Sequence, residues 1–586
     1  MTKNAKNAKS GLLVVLSALL ATGNTGAWAA QPDPAAQPDA GRLMGTVKPQ
    51  GEGLPKVAVP AIEVQQESRP AMKKAEGFRV KLQAFRITGA TVFPDVQLQD
   101  LISDRVGSEM TLADLQTAAD QISRFYRLNG YFVARAYIPA QEISGGKVEI
   151  AVLEGRIGDV GIKLVGAGRI DEAAVKKTVS GSAVPGDLIR ESRIERGLLL
   201  ASDLPGVEVK STLVPGASVG TSDLLVEANQ TGTFGGSVDF DNFGNKYSGE
   251  WRAGGTAYMN NPLRLGDQLT LRGMTSGSGL DYARLGYQIP VGASGTKLGA
   301  AISHMNYKLG KDFAALQAKG SADQDDIYVL HPFVRGRNLN LYGQLGYSYK
   351  DLVNEALAGT PSRKKLDVLT AGLSGDSRDG ALGGGINNFG LALTSGDLGL
   401  DWNAENTYDA GPRTAGGYNK LSYNLSRLQR MSDRTSLYLA LSGQYASKNL
   451  DSSEKFILGG SGGVRAYPVG EAAGDEGYLI NAEVRWDMPG QTALGTLQLV
   501  GFVDTGHITL NKNPWLNWRG TNPSLQNSYS LSGAGVGLNF SKPGNYAVRL
   551  SLATKVGGNP GRGANGKDVD NADDASRFWL QAVKWF

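Results

Sequence analysis

The chain has 586 residues, too many for one ordinary hydrophobic core, with 79 glycines, no cysteine and 60 basic against 56 acidic side chains. Glycine well above its usual share of about 7%, without a collagen-like period, implies many strands, tight turns and loops. The near balance of charge gives no support to a nucleic-acid partner, and the absence of thiols permits an oxidising compartment without requiring one.

Residues 1–29 read as a cleaved signal peptide. Lys3, Lys6 and Lys9 precede an apolar run over 12–20, and Ala27-Trp28-Ala29 supplies the small-x-small pattern, so cleavage is expected after Ala29. The run falls short of the roughly 20 apolar residues that a spanning helix needs. Its removal takes three lysines and no acids, leaving 57 basic against 56 acidic residues. No later segment has the pattern of a spanning helix. A secreted chain of this kind is either soluble or a β-barrel, because only helices and closed barrels satisfy their backbone groups in lipid.

Residues 30–76 hold Pro32, Pro34, Pro38, Pro49, Pro55, Pro60 and Pro70 among Ala, Gln, Asp and Gly, the composition of a linker. Only short proline-free stretches such as 39–48 can form a helix, and one of that length is marginal in water. The segment is expected to be a linker or a plug.

Residues 77–156 and 157–230 carry one pattern twice. In the first unit a strand is expected over 80–87. Thr111 then caps a helix in which Leu112, Leu115, Ala119, Ile122 and Tyr126 recur at steps of three and four; Asp114 completes a capping-box pattern and Asn129-Gly130 ends it. Strands over 131–138 and 147–153 complete a β-α-α-β-β unit closing at Glu154-Gly155, with Tyr126 expected in its core. The second unit starts at Ile157, with helices over 171–178 and 188–200 and strands over 207–213 and 222–228. Small α+β domains with an open sheet edge can bind an extended client by adding it as a strand, which needs no particular residue type.

Residues 231–586 are expected to form a membrane β-barrel of sixteen antiparallel strands, at roughly 22 residues per strand and connection against the 9–11 that a spanning strand needs. Tyr546, Val548, Leu550 and Leu552 alternate with Ala547, Arg549 and Ser551; Ile480, Ala482, Val484 and Trp486 alternate with Asn481, Glu483 and Arg485. Apolar outward and polar inward rows imply a wet lumen rather than a sandwich core.

Between the expected eleventh and twelfth strands, a loop at about 451–477 carries Val464-Arg465-Ala466-Tyr467 among Gly459, Gly460, Gly462, Gly463, Gly470, Gly474 and Gly477. On the thirteenth strand stands Phe502-Val503-Asp504-Thr505-Gly506, with Asp504 in phase with the inward Val500 and Phe502. Ions inside a membrane protein are costly unless paired. Arg465 is therefore expected to reach Asp504, as a guanidinium and a carboxylate pair bidentately, with Glu483 as a second acceptor.

Enzyme readings fail. Gly459-Gly460-Ser461-Gly462-Gly463 fits G-x-S-x-G and Asp504 and His507 follow it, but a nucleophile elbow needs a strand, a sharp turn and a helix. Only His304, His331 and His507 exist, far apart, so no metal centre is expected; no nucleotide-binding loop is present, and no cofactor is implied.

Taken together these features resemble the two-partner secretion (TpsB) outer-membrane transporters of the haemolysin secretion/activation type. The loop tetrapeptide is similar to the family's VRGY motif, with Ala466 in place of its glycine, and Phe502 to Gly506 is similar to its F-x-D-x-G strand. The segments 125–131 and 137–141 resemble the YR-x-x-GY and P-x-Q segments of these proteins, so the two α+β units resemble POTRA domains. The C-terminal strand ending at Phe586 is similar to the assembly signal of outer-membrane barrels, though Lys584 replaces a more usual aromatic.

The resemblance implies a barrel in the outer membrane and N-terminal domains in the periplasm, often with an N-terminal helix plugging the barrel. It implies that Val464, Arg465 and Tyr467 dock on a seat of Phe502, Asp504 and Gly506. Its implied partners are a secreted TpsA-type adhesin or haemolysin, outer-membrane lipid and, during biogenesis, the barrel-assembly machinery. Two rivals are a barrel-assembly factor of the same superfamily, which carries three or more POTRA units where this chain has room for two, and a passive porin, which lacks such units.

Overall fold

A computed structural model of the chain describes residues 37–47, 62–64 and 78–586, apart from 278, 358–360, 401–408, 491–493 and 521. The expected signal peptide lies outside the described residues, as does the rest of the 30–76 segment.

The first element is α1 (Ala40–Thr46), capped by Asp39, whose carboxylate accepts from the Arg42 amide at 2.9 Å. Seven residues do not hold a helix in water. Burial holds this one: Ala40, Leu43, Met44 and Val47 share a core with Tyr307, Phe313, Leu352 and Leu366 of the barrel. Over 40–46 the proline-rich segment is therefore a helix inside the barrel. A second element, β1 (Ile62–Val64), has no counterpart among the strands expected from sequence.

The first α+β unit comprises β2 (Arg79–Lys81), β3 (Ala84–Thr88), α2 (Asp95–Asp100), β4 (Glu109–Thr111), α3 (Leu112–Leu128), β5 (Arg135–Tyr137) and β6 (Lys147–Leu153). The single strand expected over 80–87 is two: β2 pairs with β4 and β3 with β6. The break falls at Leu82, which is fully buried and whose backbone bonds Gly107 and Ser108. The strand expected over 131–138 contracts to β5, because the Tyr131 and Ala134 amides are taken by the turn that follows α3. Both capping-box bonds of Thr111 and Asp114 are present, and Gly130, at φ +85°, ends α3 in the left-handed region that glycine adopts at little cost. Tyr126 is fully buried and donates to the Glu154 carboxylate at 2.9 Å.

The second unit comprises β7 (Arg156–Gly166), α4 (Glu172–Ser180), α5 (Glu191–Ser202), β8 (Val207–Pro215) and β9 (Thr221–Gln230), with β1 joined to form a sheet in the order β1-β8-β9-β7. The helix expected from 188 starts later because Leu188 bridges to Arg156.

Sixteen antiparallel strands, from Phe234–Asp241 to Ser576–Trp585, close into a barrel. Along Thr296–Lys308 the inward Ala301, Ser303, Met305 and Tyr307 are buried, whereas Ile302 between them is 57% exposed on the outside. Outward apolar rows of this kind face lipid. Among the described residues no helix is long and apolar enough to cross a membrane. The second unit is fastened to the short-turn rim of the barrel: Arg335 donates to Asp203 through Nε at 2.7 Å and Nη2 at 2.8 Å, and Arg196 donates to the Pro332 carbonyl at 2.7 Å.

Candidate functional site: the lumenal loop and its seat

The loop leaves the eleventh barrel strand, Thr435–Ala446, and returns as the twelfth, Glu476–Asp487. At its base Phe456–Ile457 pairs with Ala473–Gly474, so the excursion is a hairpin with a folded tip. The tip is tight: the Val464 amide donates to the Leu458 carbonyl at 2.7 Å, and a Cβ at Gly463 would lie 2.0 Å from that same oxygen.

The tip carries Arg465 onto the wall. Its Nε and backbone amide donate to Asp504 Oδ2 at 2.8 and 3.1 Å, Nη2 to Oδ1 at 2.7 Å, and Nη1 to Glu483 Oε1 at 2.8 Å. Asp504, on the thirteenth strand Thr496–Thr509, is fully buried. The guanidinium carbon also sits 3.4 Å from the centre of the Phe502 ring, close enough for a cation–π contribution. Arg485 donates to Glu483 Oε2 at 2.8 and 2.7 Å, so two guanidiniums face two carboxylates and the group is neutral as a whole. Asn481 donates to Asp504 Oδ1 at 2.8 Å, and the Trp579 indole donates to the Arg465 carbonyl at 2.7 Å. Sequence reading missed Asn481, Arg485 and Trp579 as partners. The first two were legible only as inward positions.

Apolar packing completes the seat. Val464, Ala466 and Tyr467 are fully buried in one cluster with Leu458, Phe502 and Leu531. Ala466 has no positive φ, so an alanine suits the backbone there. Its methyl occupies the space left by Gly533, where an added Cβ would lie 2.6 Å from it. Gly506 likewise admits Leu458, whose Cδ1 would lie 2.3 Å from a Cβ at that position.

Ion pairs hold the loop elsewhere. Glu454 is bonded by Lys350 and, at 2.6 Å, by Lys420; Asp451 meets Lys364 at 2.8 Å and Asp475 meets Lys455 at 2.6 Å. On the far side, Glu471 accepts from the Val569 amide at 2.8 Å and from Asn559 at 2.9 Å. Below the tip, a lumenal cavity of about 530 Å³ is lined by Arg465, Glu483, Arg485, Arg549 and Trp579 among others.

The remaining candidates fall elsewhere. Phe586 exchanges backbone bonds with Gly236 at 3.0 and 3.1 Å, beside the pairing of last and first strands, with its side chain exposed. Ser461 lies on the loop tip, Asp504 is committed to Arg465, and His507 bonds Ser528 and Ser530 on the opposite face of the strand from Asp504. The three do not converge. Among the described residues no group of His, Cys, Asp and Glu could hold a metal ion.

Comparison with known proteins gives the site its context. Residues 220–540 match the family described as haemolysin secretion/activation protein ShlB/FhaC/HecB, and residues 80–155 match the ShlB-type POTRA domain. The chain is 32% identical over 495 residues to the heme/hemopexin transporter protein HuxB of Haemophilus influenzae, covering 84% of each chain. It is 24% identical to the outer membrane transporter CdiB of Dickeya dadantii, covering 68% of this chain and 71% of the other. The structure of CdiB from Escherichia coli superposes with a TM-score of 0.67 at 22% identity, over 89% of this chain and 93% of that one.

Proposed function

The chain belongs to the haemolysin secretion/activation protein family ShlB/FhaC/HecB, and from that premise we propose how it works: it takes an unfolded TpsA-type exoprotein from the periplasm and passes it out through its barrel. The barrel stands in the outer membrane with the α+β units on its periplasmic side. The family is one of secretion channels, and no chemical step enters this reading.

The observation that carries the reading is the Arg465 loop. A buried guanidinium held by Asp504 and Glu483 is expensive to desolvate and adds less net stability than a well-packed apolar group would. Its worth is geometric: it fixes one loop conformation inside a polar cavity. We read the pair as the catch that holds the lumen in the state from which a client enters, with Val464, Ala466 and Tyr467 as the docked tip and Phe502, Asp504 and Gly506 as the seat. By the same reading α1 blocks the resting pore and must leave for export. The apolar outer wall contacts lipid, and the terminal strand ending at Phe586 is read by the assembly machinery. Neither nucleic acid nor nucleotide takes part, so client binding and folding outside drive the transport.

The test is export of a TpsA-type exoprotein from the cell that makes this chain, with the chain present and deleted. Loss of surface and culture-medium exoprotein on deletion, restored by the wild-type chain, is expected; undiminished export without it overturns the assignment.

A further inference from the structure

Glu471, on the return limb of the lumenal loop, is a buried carboxyl that no cation serves. It is 2% exposed. Its Oε2 accepts from the Val569 amide at 2.8 Å and its Oε1 from Asn559 Nδ2 at 2.9 Å. That same nitrogen donates to Asp568 Oδ1 at 3.0 Å, so one amide bridges two carboxylates that belong to different loops. Among the described residues each nearby cation is turned to another acceptor: Lys555 to Asp568 at 2.7 Å, Arg577 to Asp570 at 2.6 Å, Arg562 to Asp573, and Lys246 to the Asp570 carbonyl at 2.6 Å. A buried charge is costly unless paired, and a neighbouring like charge adds to the cost.

We propose that Glu471 is a proton-operated latch on the outer mouth of the barrel. With its carboxyl protonated, the lumenal loop and the last loop, residues 556–575, stay clamped together over the pore; with it ionised, they part. The latch sets when the export pore is open, and so rests on the export reading above.

The last loop is placed to act as a lid. It joins the final two barrel strands, Tyr546–Lys555 and Ser576–Trp585, at the rim opposite the one that carries the second unit. From there it crosses the mouth. Tyr247 donates to the Val569 carbonyl at 3.4 Å and Asn571 to Asp312 Oδ2 at 3.0 Å, in the loops that follow the first and fifth strands. Phe313, next to Asp312, packs in the core around α1. Glu471 touches the base of the tip as well, since the Gly459 amide donates to its carbonyl at 3.0 Å. Arg465 keeps separate anchors in Asp504 and Glu483, so the lid can part without unseating the tip.

The surroundings fix the direction of the response. Burial and then the Asp568 charge push the Glu471 carboxyl up to about 7, with Asp570 acting the same way, and donation from Val569 and Asn559 offsets this only in part. The other groups facing it, the phenols of Tyr467 and Tyr529, carry no charge at neutral pH. A carboxyl raised on docking supports the docked state fully below its undocked value of about 4.3, and that support is lost as pH rises to about 7. Acid outside therefore closes the mouth, and neutrality loosens it.

The test uses the full-length protein, brought from about pH 5 to about pH 8 on the loop side of a planar bilayer and, for hydrogen exchange, in detergent. In wild type, open probability is expected to rise at least fivefold. Exchange protection of residues 564–572, corrected for the intrinsic effect of pH, is expected to fall at least tenfold. Glu471→Gln, neutral at every pH, is expected to keep the acid-state protection and the low open probability throughout. Asp568→Asn removes the adjacent charge, so its transition is expected to move about one pH unit or more toward acid. Wild-type protection or open probability that does not change over this range, a transition unaltered in Glu471→Gln, or one that stays in place in Asp568→Asn overturns the proposal. A chain that gates in this way yet exports no exoprotein would count against the export reading alone.

Discussion

Arg465 was legible because a cation in a glycine loop and a carboxylate in phase with an inward row are both costly unless they meet. The neutral partners carry no such signal. Asn481 is brought to Asp504 by strand register and Trp579 to Arg465 by barrel closure, which a single sequence does not print. The fit of Ala466 against Gly533 is of the same kind, and it yields a prediction. Gly533→Ala should overpack the seat, at a cost of about 1–3 kcal/mol, and lower export several-fold; adding Ala466→Gly should restore it. Quantitative immunoblotting of the exported protein checks both. A double variant no better than the single one would mean that this contact does not seat the tip.

Among elements, α3 was readable from its capping box and periodicity, which are local. α1 was legible only as a proline-free stretch able to be helical, because its stability comes from a barrel wall distant in sequence. Gly41 packs so closely on the loop that an added Cβ would lie 2.8 Å from both Ser452 Oγ and the Ser453 amide nitrogen. Gly41→Val should therefore unseat α1 and raise the open-channel conductance in planar bilayers several-fold, with the barrel intact. Unchanged conductance would show that α1 does not obstruct the pore. In the first unit, burial acts to raise the Glu154 carboxyl, but donation from Thr91, Val92 and Tyr126 outweighs it and holds the group below its ordinary range. A carboxyl depressed on folding stabilises the folded state above its unfolded value of about 4.3, and that contribution is lost as pH falls through the lower folded value. Hydrogen-exchange protection of residues 78–153 in the full-length protein should thus decline in acid. Glu154→Gln should reduce protection at neutral pH by roughly 1–3 kcal/mol and flatten the acid dependence. An unaltered acid profile in that variant would remove Glu154 as the cause.

At the scale of the whole molecule, strand count and the order of units follow from alternation and turn spacing, signals that repeat many times and average out local error. The pairing of β1 with β8 did not show, since three residues in a proline-rich stretch carry no periodicity. Nor did the fastening of Asp203 to Arg335, which depends on where one domain rests on another. The account as a whole turns on a loop whose tip is held on the lumenal wall by the buried Arg465–Asp504 pair and whose locked state serves export. Arg465→Ala leaves Asp504 buried without its cation, a loss on the order of 3–5 kcal/mol that falls on the loop rather than on the sixteen-strand ladder. The most direct measurement is export of the partner exoprotein by this variant, alongside its heat-modifiable migration as a folded barrel: the account predicts a folded barrel with export reduced at least tenfold, and wild-type export from that folded barrel would contradict it.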